Sequence, residues 1–489
     1  PRGAMRHIKA LTTGLSRSAD IQRHLMPVLL GWFARGVDAD AGLLGFRIVS
    51  ESLGSTSWYL RMLRDSPAAA ERLSQLLSSS RLMTDLLEDA SASIAWLDKV
   101  DDLKALGEEA LESEISSLLA RHEDAAEAMR AVRYLRRRET LRTAMGWTLG
   151  IVNIEDTCAG LAAIDECTIG AALRIALREL QSTAEESEAG ETAGEQLLTR
   201  IAIIGMGRLG GAENGFGSDA DVMFVHEPLE GVDEDAAQEQ AARIVNRTLA
   251  LLKQPVKPPI RAERPLEVDA DLRPEGKQGA IVRSLDSYRS YYERWAETWE
   301  FQALTRARPI GGDPQLGEAF VELIDPYRYP ATFTPEQVQQ IRRMKARVEN
   351  ERMPHGADRT RQLKLGRGGL SDVEWLVQLL QLRHAHAVPG LRTTSTLKAL
   401  DAAVEAGLVT AEDAEVLSGA WLLATKIRGG NVLRGVRQSD TLPSGRADLE
   451  AIARWCGYPA GSARALEEDY LRQTRNARKV YERLFFDEA

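Results

Sequence analysis

Apolar positions recur every three or four residues along residues 18–150, as at Leu60 and Leu63 and again at Leu73, Leu76 and Leu77. That is the period of an amphipathic helix. The pattern continues through Asp85–Leu97 and Leu103–Leu119 into a strongly basic run, Arg133–Arg142. The plain reading of that run is a solvated helix face paired with acidic neighbours. The other reading is that Arg136, Arg137 or Arg138 reaches an anionic ligand. Asn153-Ile154-Glu155-Asp156 predicts a cap for a further helix ending near Leu180.

The periodicity then changes. Residues 183–197 are acidic and small and read as a surface loop. Ile201–Ile204 and Val222–Val225 are continuous apolar runs, hence buried strands. Between them lie Gly205, Gly207, Gly210, Gly211, Gly215 and Gly217, poor material for a helix. An acidic loop, Gly231–Asp235, opens a helix over about Ala236–Leu252, and the proline-rich stretch 253–265 is extended or turn-like. Leu266–Leu272 alternates as a half-buried strand, Arg273–Gly279 turns, and Ser284–Arg308 reads as one aromatic-rich helix. Past residue 330 helices return. Thr334-Pro335-Glu336 opens one, and a basic glycine-rich break spans Lys364–Gly369. Ser371 caps Asp372–His386, and Leu397–Ala406, Ala411–Leu433 and Leu466–Phe486 complete an antiparallel bundle.

These elements describe an α+β fold, predominantly helical, in three parts. A helical leader covers residues 1–110, a mixed-sheet core 111–328, and a C-terminal helical bundle 329–489. Pro1–Met5 resembles a protease-site remnant of an expression vector, so the chain reads as a piece of a longer protein.

Composition narrows the function. A length of 489 residues exceeds what one core supports. The net charge of −10 argues against nucleic acid or acidic membranes as partners, though not against a small anion in a basic pocket. Cys158, Cys167 and Cys456 form neither a disulfide framework nor a zinc set, which fits a reducing cytoplasm. No apolar run reaches membrane-spanning length, and no signal peptide opens the chain.

The candidate chemistry sits at the second strand. Strand side chains alternate, so Asp219 and Asp221 project on one side at its mouth. Carboxylates so placed repel unless a cation joins them, and oxygen-only ligands suit magnesium beside phosphate. The glycines before them allow close approach to a phosphate. Asp269, on a separate alternating strand, offers a third carboxylate, with Asp271 competing from the same face. Such a set holds ions that clamp a phosphoryl or nucleotidyl displacement. Arg273, Lys277, Arg306 and Arg308 are candidates to neutralise a triphosphate, each weighed against a plain surface ion pair. Gly205-Met206-Gly207-Arg208-Leu209-Gly210 also matches a dinucleotide-binding fingerprint. That reading fails because the following residues do not favour a helix and the acids begin the next strand instead of ending it. His384 and His386 do not share a helix face, and no nucleophile elbow is present.

Gly217-Ser218-Asp219-Ala220-Asp221 resembles the metal motif of the DNA polymerase beta-type nucleotidyltransferase superfamily. GMGRLGGAENGFGSDADVMFV, VDADLRPEGKQGAIV, TWEFQALTRARPIGGDPQL and GRGGLSDVEWLVQLLQLRHAH, in that order, resemble the glutamine synthetase adenylyltransferases. The resemblance runs from about Ser52 to the C-terminus. Members of that family carry two homologous halves, and the single motif set here looks like the C-terminal, adenylylating half. The resemblance implies transfer of AMP from ATP to a tyrosine of glutamine synthetase, with Mg2+ (or Mn2+) as cofactor. It also implies glutamine and a PII-type signalling protein as effectors in the control of nitrogen assimilation. Asp219, Asp221 and Asp269 correspond to the metal-binding and catalytic acids. Gly207, Gly210, Gly217, Ser218, Arg273 and Arg306 fall on the nucleotide side. Asp271 departs from the family's D-x-x-L-R-P pattern and ranks behind Asp269. The phosphorolytic deadenylylating half and a non-catalytic regulatory scaffold are the alternatives.

Overall fold

The structure, a computed structural model, describes residues 2–53, 56–182, 196–261, 263–435 and 439–486. Most of the acidic loop expected over 183–197 lies outside the described residues, as does Pro1 of the expected vector remnant. The fold is predominantly helical around one five-stranded mixed sheet, as the apolar patterning predicts. β1 (Thr199–Gly205) pairs antiparallel with β2 (Ala220–Pro228), from Thr199 opposite Pro228 to Gly205 opposite Val222. β3 (Val268–Asp269) and β4 (Val282–Ser284) lie parallel to β2, and β5 (Arg308–Gly312) antiparallel to β1.

Alternation along β1 and β2 divides the packing. Ile201, Ile203, Val222 and Phe224 join one core with the helices Ile154–Ser182 and Glu234–Lys253. Ala202, Ile204, Met223 and Val225 join another with Leu285–Arg294 and Pro314–Arg328. A third core unites the leader helices with the C-terminal helices, holding Phe33 and Phe46 in one cluster with Trp421 and Tyr481. The sheet is thus buried on both faces, and only the end carrying Gly205, Ala220 and Val268 is left for chemistry.

Several local expectations change. The strand expected over Leu266–Leu272 shrinks to Val268–Asp269, paired with Ala220 and Asp221. Ser284–Arg308 is two helices, Leu285–Arg294 and Thr298–Leu304, running into β5. A capping box at Glu297 and Glu300 starts the second of them. A one-turn helix does begin in the glycine segment, at Gly207–Gly210. The helix expected to be capped by Ser371 begins at Leu370. The Asp372 carboxylate reaches back to accept the Gly368 N–H at 2.6 Å. The basic run is no solvated face: Arg133, Arg137 and Arg142 are buried. Arg133 donates to Glu263 at 2.5 Å, and Arg142 to Glu139 at 2.7 Å.

Candidate active site

Two backbone bonds fix the acidic end of the sheet. Ala220 N–H donates to the Glu267 carbonyl, and Met206 N–H to the Asp221 carbonyl, both at 2.8 Å. Asp221 therefore stands opposite Asp269 on parallel strands, and Asp219 lies exposed just before β2. Gly207 has φ +51°, and a Cβ there would overlap the Asp221 carboxylate. Only glycine lets the chain turn this closely over the acid. Upstream, Gly215–Ser218 closes as a turn: the Gly215 N–H donates to Ser218 Oγ at 3.0 Å, with Gly217 at φ +69°.

The electrostatics are unbalanced. Burial, followed by repulsion from Asp269 and Asp219, pushes the Asp221 carboxyl up to about 6, while Lys364 and Arg352 pull the other way. Among the described residues no group of three or more His, Cys, Asp or Glu side chains stands ready to hold a metal ion. The expected triad is therefore an Asp221–Asp269 pair with Asp219 at its edge. This donor set fits magnesium, which accepts one or two carboxylates and completes its shell with water and phosphate oxygens.

The candidate cations divide. Arg306 is buried and committed to Glu213 at 2.6 Å, to Thr396 Oγ1 at 2.8 Å and to the Thr394 carbonyl. Gly210 packs against the Arg306 backbone carbonyl, where a Cβ would not fit. Arg308 reaches Glu166 at 2.5 Å and the Gly210 carbonyl at 3.1 Å. Arg273 holds its own turn together through the carbonyls of Ala270 at 2.7 Å and Gly279 at 3.0 Å. Lys277 pairs with Asp271 at 3.3 Å and Arg273 lies 3.6 Å from it. Asp271 is thereby neutralised, whereas Asp269 meets Asp221, so the geometry favours Asp269 as the third acid. Arg306 also edges a neighbouring cleft, but its guanidinium is taken up by Glu213 and Thr396.

That cleft, of about 650 Å3, is lined by Gly207, Leu272, Trp299, Arg352, Lys364 and Trp375 among others. Lys364 and Arg352 are exposed there. Cations and indole faces side by side suit a polyphosphate and a purine. Lys364 belongs to the basic glycine-rich break noted in the sequence. Trp375 lies within the GRGGLSDVEWLVQLLQLRHAH string but no pattern there singles it out, and Arg352 lies outside the family-like strings; both reach the cleft through helix packing. A second cleft, of about 370 Å3, opens beside Gly217, Ser218 and Asp219.

Comparison with known proteins bears on this site. Residues 70–323, just over half of the chain, match the family model described as glutamate-ammonia ligase adenylyltransferase. Residues 342–485 match that of the GlnD PII-uridylyltransferase. The chain is similar to the bifunctional glutamine synthetase adenylyltransferase/adenylyl-removing enzymes of Leifsonia xyli subsp. xyli and Streptomyces avermitilis. Each is 49% identical over 99% of this chain, which covers 46% and 49% of the respective relative. The corresponding enzyme of Mycobacterium avium is 44% identical over 99% of this chain, which covers 48% of it. The chain thus spans about half the length of the curated relatives it matches. No helix among the described residues is long and apolar enough to cross a membrane. By the extent of the family match, this chain belongs to the glutamate-ammonia ligase adenylyltransferase family.

Proposed function

We propose that this chain transfers AMP from ATP to a tyrosine of glutamine synthetase, releasing pyrophosphate, and so acts in the control of nitrogen assimilation. The observation that carries the reading is the Asp221–Asp269 pair, unneutralised beneath the Gly207 cradle and facing Lys364. Asp219, Asp221 and Asp269 would hold Mg2+, or Mn2+ in its place, which supplies charge neutralisation for a bound triphosphate. Gly207 lets the chain turn closely over Asp221, Lys364 and Arg352 attract the phosphate oxygens, and Trp299 and Trp375 offer faces for the base. Gly210, Arg273 and Arg306 keep the frame of this cleft in place. Gly217 and Ser218 shape the turn that delivers Asp219. Asp269 is exposed and positioned to help deprotonate the phenol, whose ordinary pKa is about 10.

The cytoplasm is the matching compartment, and glutamine and a PII-type protein are the matching effectors. The likeness of residues 342–485 to a PII-modifying enzyme supports the latter. The test is mass spectrometry of glutamine synthetase after incubation with this chain, ATP and magnesium. One AMP should appear on a tyrosine with the parent chain. Asp219→Asn should lower transfer at least about 1,000-fold while leaving the fold intact; near-parental transfer by that variant contradicts the assignment. The relatives' printed names include an adenylyl-removing activity, so the phosphorolytic reaction is the second reading. Adenylylated glutamine synthetase supplied with phosphate would then yield ADP.

A further inference from the structure

The cleft beside Asp219 shares no lining residue with the cleft of Gly207 and Lys364. Its walls differ in kind. Leu82, Leu86, Phe216 and Val432 present hydrocarbon, and Phe216 is held by stacking on Trp147 at 5.8 Å between ring centres. Three of its charged groups are already engaged. Arg136 donates to Asp165 at 2.7 Å and to the Arg264 carbonyl at 2.8 Å. Arg137 donates to the carbonyls of Arg261 at 2.8 Å and Leu86 at 3.0 Å. Glu263 accepts from Arg133 at 2.5 Å. Arg264 is exposed and has no hydrogen-bond or ion-pair partner for its side chain among the described residues, and the same holds for the lining carboxylates Asp219 and Glu267, so Arg264 is the one lining cation left without a partner.

In-line transfer sets the acceptor oxygen and the departing pyrophosphate on opposite sides of the α-phosphorus. With the polyphosphate drawn to the cations at Gly207 and Lys364, the acceptor needs a different approach to the same carboxylates. We propose that the cleft beside Asp219 is the acceptor site. It receives an aromatic hydroxyl side chain of the protein substrate against Phe216 and Val432, while Arg264 pairs with a carboxylate on the same substrate segment. The inference rests on the nucleotidyl-transfer reading above. An aromatic ring gains most from such an apolar slot while its hydroxyl remains at the polar end, beside Asp219. In the step, the hydroxyl oxygen bonds to the α-phosphorus and its proton leaves by way of Asp269 to solvent. The bond from the α-phosphorus to the bridging oxygen breaks, with its electron pair leaving on pyrophosphate.

Arg264→Glu and Leu82→Trp test this in the full chain, one reversing the mouth charge and the other filling the slot from a half-buried position. With glutamine synthetase as acceptor and magnesium-ATP as donor, each should raise the acceptor KM at least about tenfold, with the ATP KM within about twofold. Arg264→Lys should recover most of the loss. A parallel rise in the ATP KM would assign the cleft to the nucleotide and overturn the proposal. An unchanged acceptor KM in both variants would overturn it as well. A parent chain that transfers no AMP removes the underlying reading and this inference together. An active parent with indistinguishable variants removes the inference alone.

Discussion

Asp372 and Asp221 are both drawn out of water, but the protein equips them differently. Asp372, 1% exposed, meets Lys345 Nζ at 2.8 Å, Arg478 at 3.0 Å and the Gly368 N–H at 2.6 Å. Lys345 is equally buried and also meets Glu349 at 3.1 Å and Ser371 Oγ at 2.9 Å. Every charge in that cluster has an opposite in contact. Asp221 feels the like charges of Asp269 and Asp219, and Lys364 and Arg352 pull the other way, but no cation forms an ion pair with it among the described residues. A balanced buried cluster fixes structure, whereas an unbalanced one is prepared for a cation from outside. The two are connected. The Asp372 cluster anchors the loop of Gly368, whose φ of +72° seats it against the Thr474 carbonyl. The same loop carries Lys364 to the acidic centre.

The largest effect on stability should come from unbalancing the balanced cluster. Lys345→Met leaves Asp372 with Arg478 alone and should cost about 3 kcal/mol in urea unfolding. A loss below about 1 kcal/mol would erase the distinction between the two regions.

The opposite sign is expected at the acidic centre. The Asp221 carboxyl rises from its ordinary 3.8 to about 6 in the fold, so the folded state holds a proton that the unfolded chain has released. The stability this proton linkage contributes is present below pH 4 and lost as pH rises through 6. Asp221→Asn should therefore stabilise the metal-free chain by about 1–3 kcal/mol at pH 7.5 and by almost nothing at pH 4. Thermal unfolding at the two pH values reads the difference. A variant less stable than its parent at pH 7.5 would mean the carboxylate is balanced after all.

The same distinction explains what the sequence disclosed. Features written in a few consecutive residues were legible. The apolar runs foretold β1 and β2, and Asn153 and Thr334 cap helices as expected, accepting from Asp156 at 2.7 Å and Gln337 at 3.3 Å. The period-two spacing of Asp219 and Asp221 marked the candidate site. What depended on partners far along the chain was hidden. Arg133–Arg142 reads as solvated until Glu263 and the Gln254 carbonyl arrive from another segment. Arg306 reads as a phosphate ligand until Glu213 and Thr396 enclose it. No local pattern carries that information.

The account turns on carboxylates from adjacent strands holding divalent cations that grip a nucleoside triphosphate. Calorimetric titration of ATP into the chain, with magnesium and again with chelator, tests that most directly, alongside Asp269→Asn. Saturable binding that requires magnesium and weakens at least about tenfold in the variant is the predicted result. ATP binding that is equally tight with chelator, and unchanged in Asp269→Asn, would contradict it.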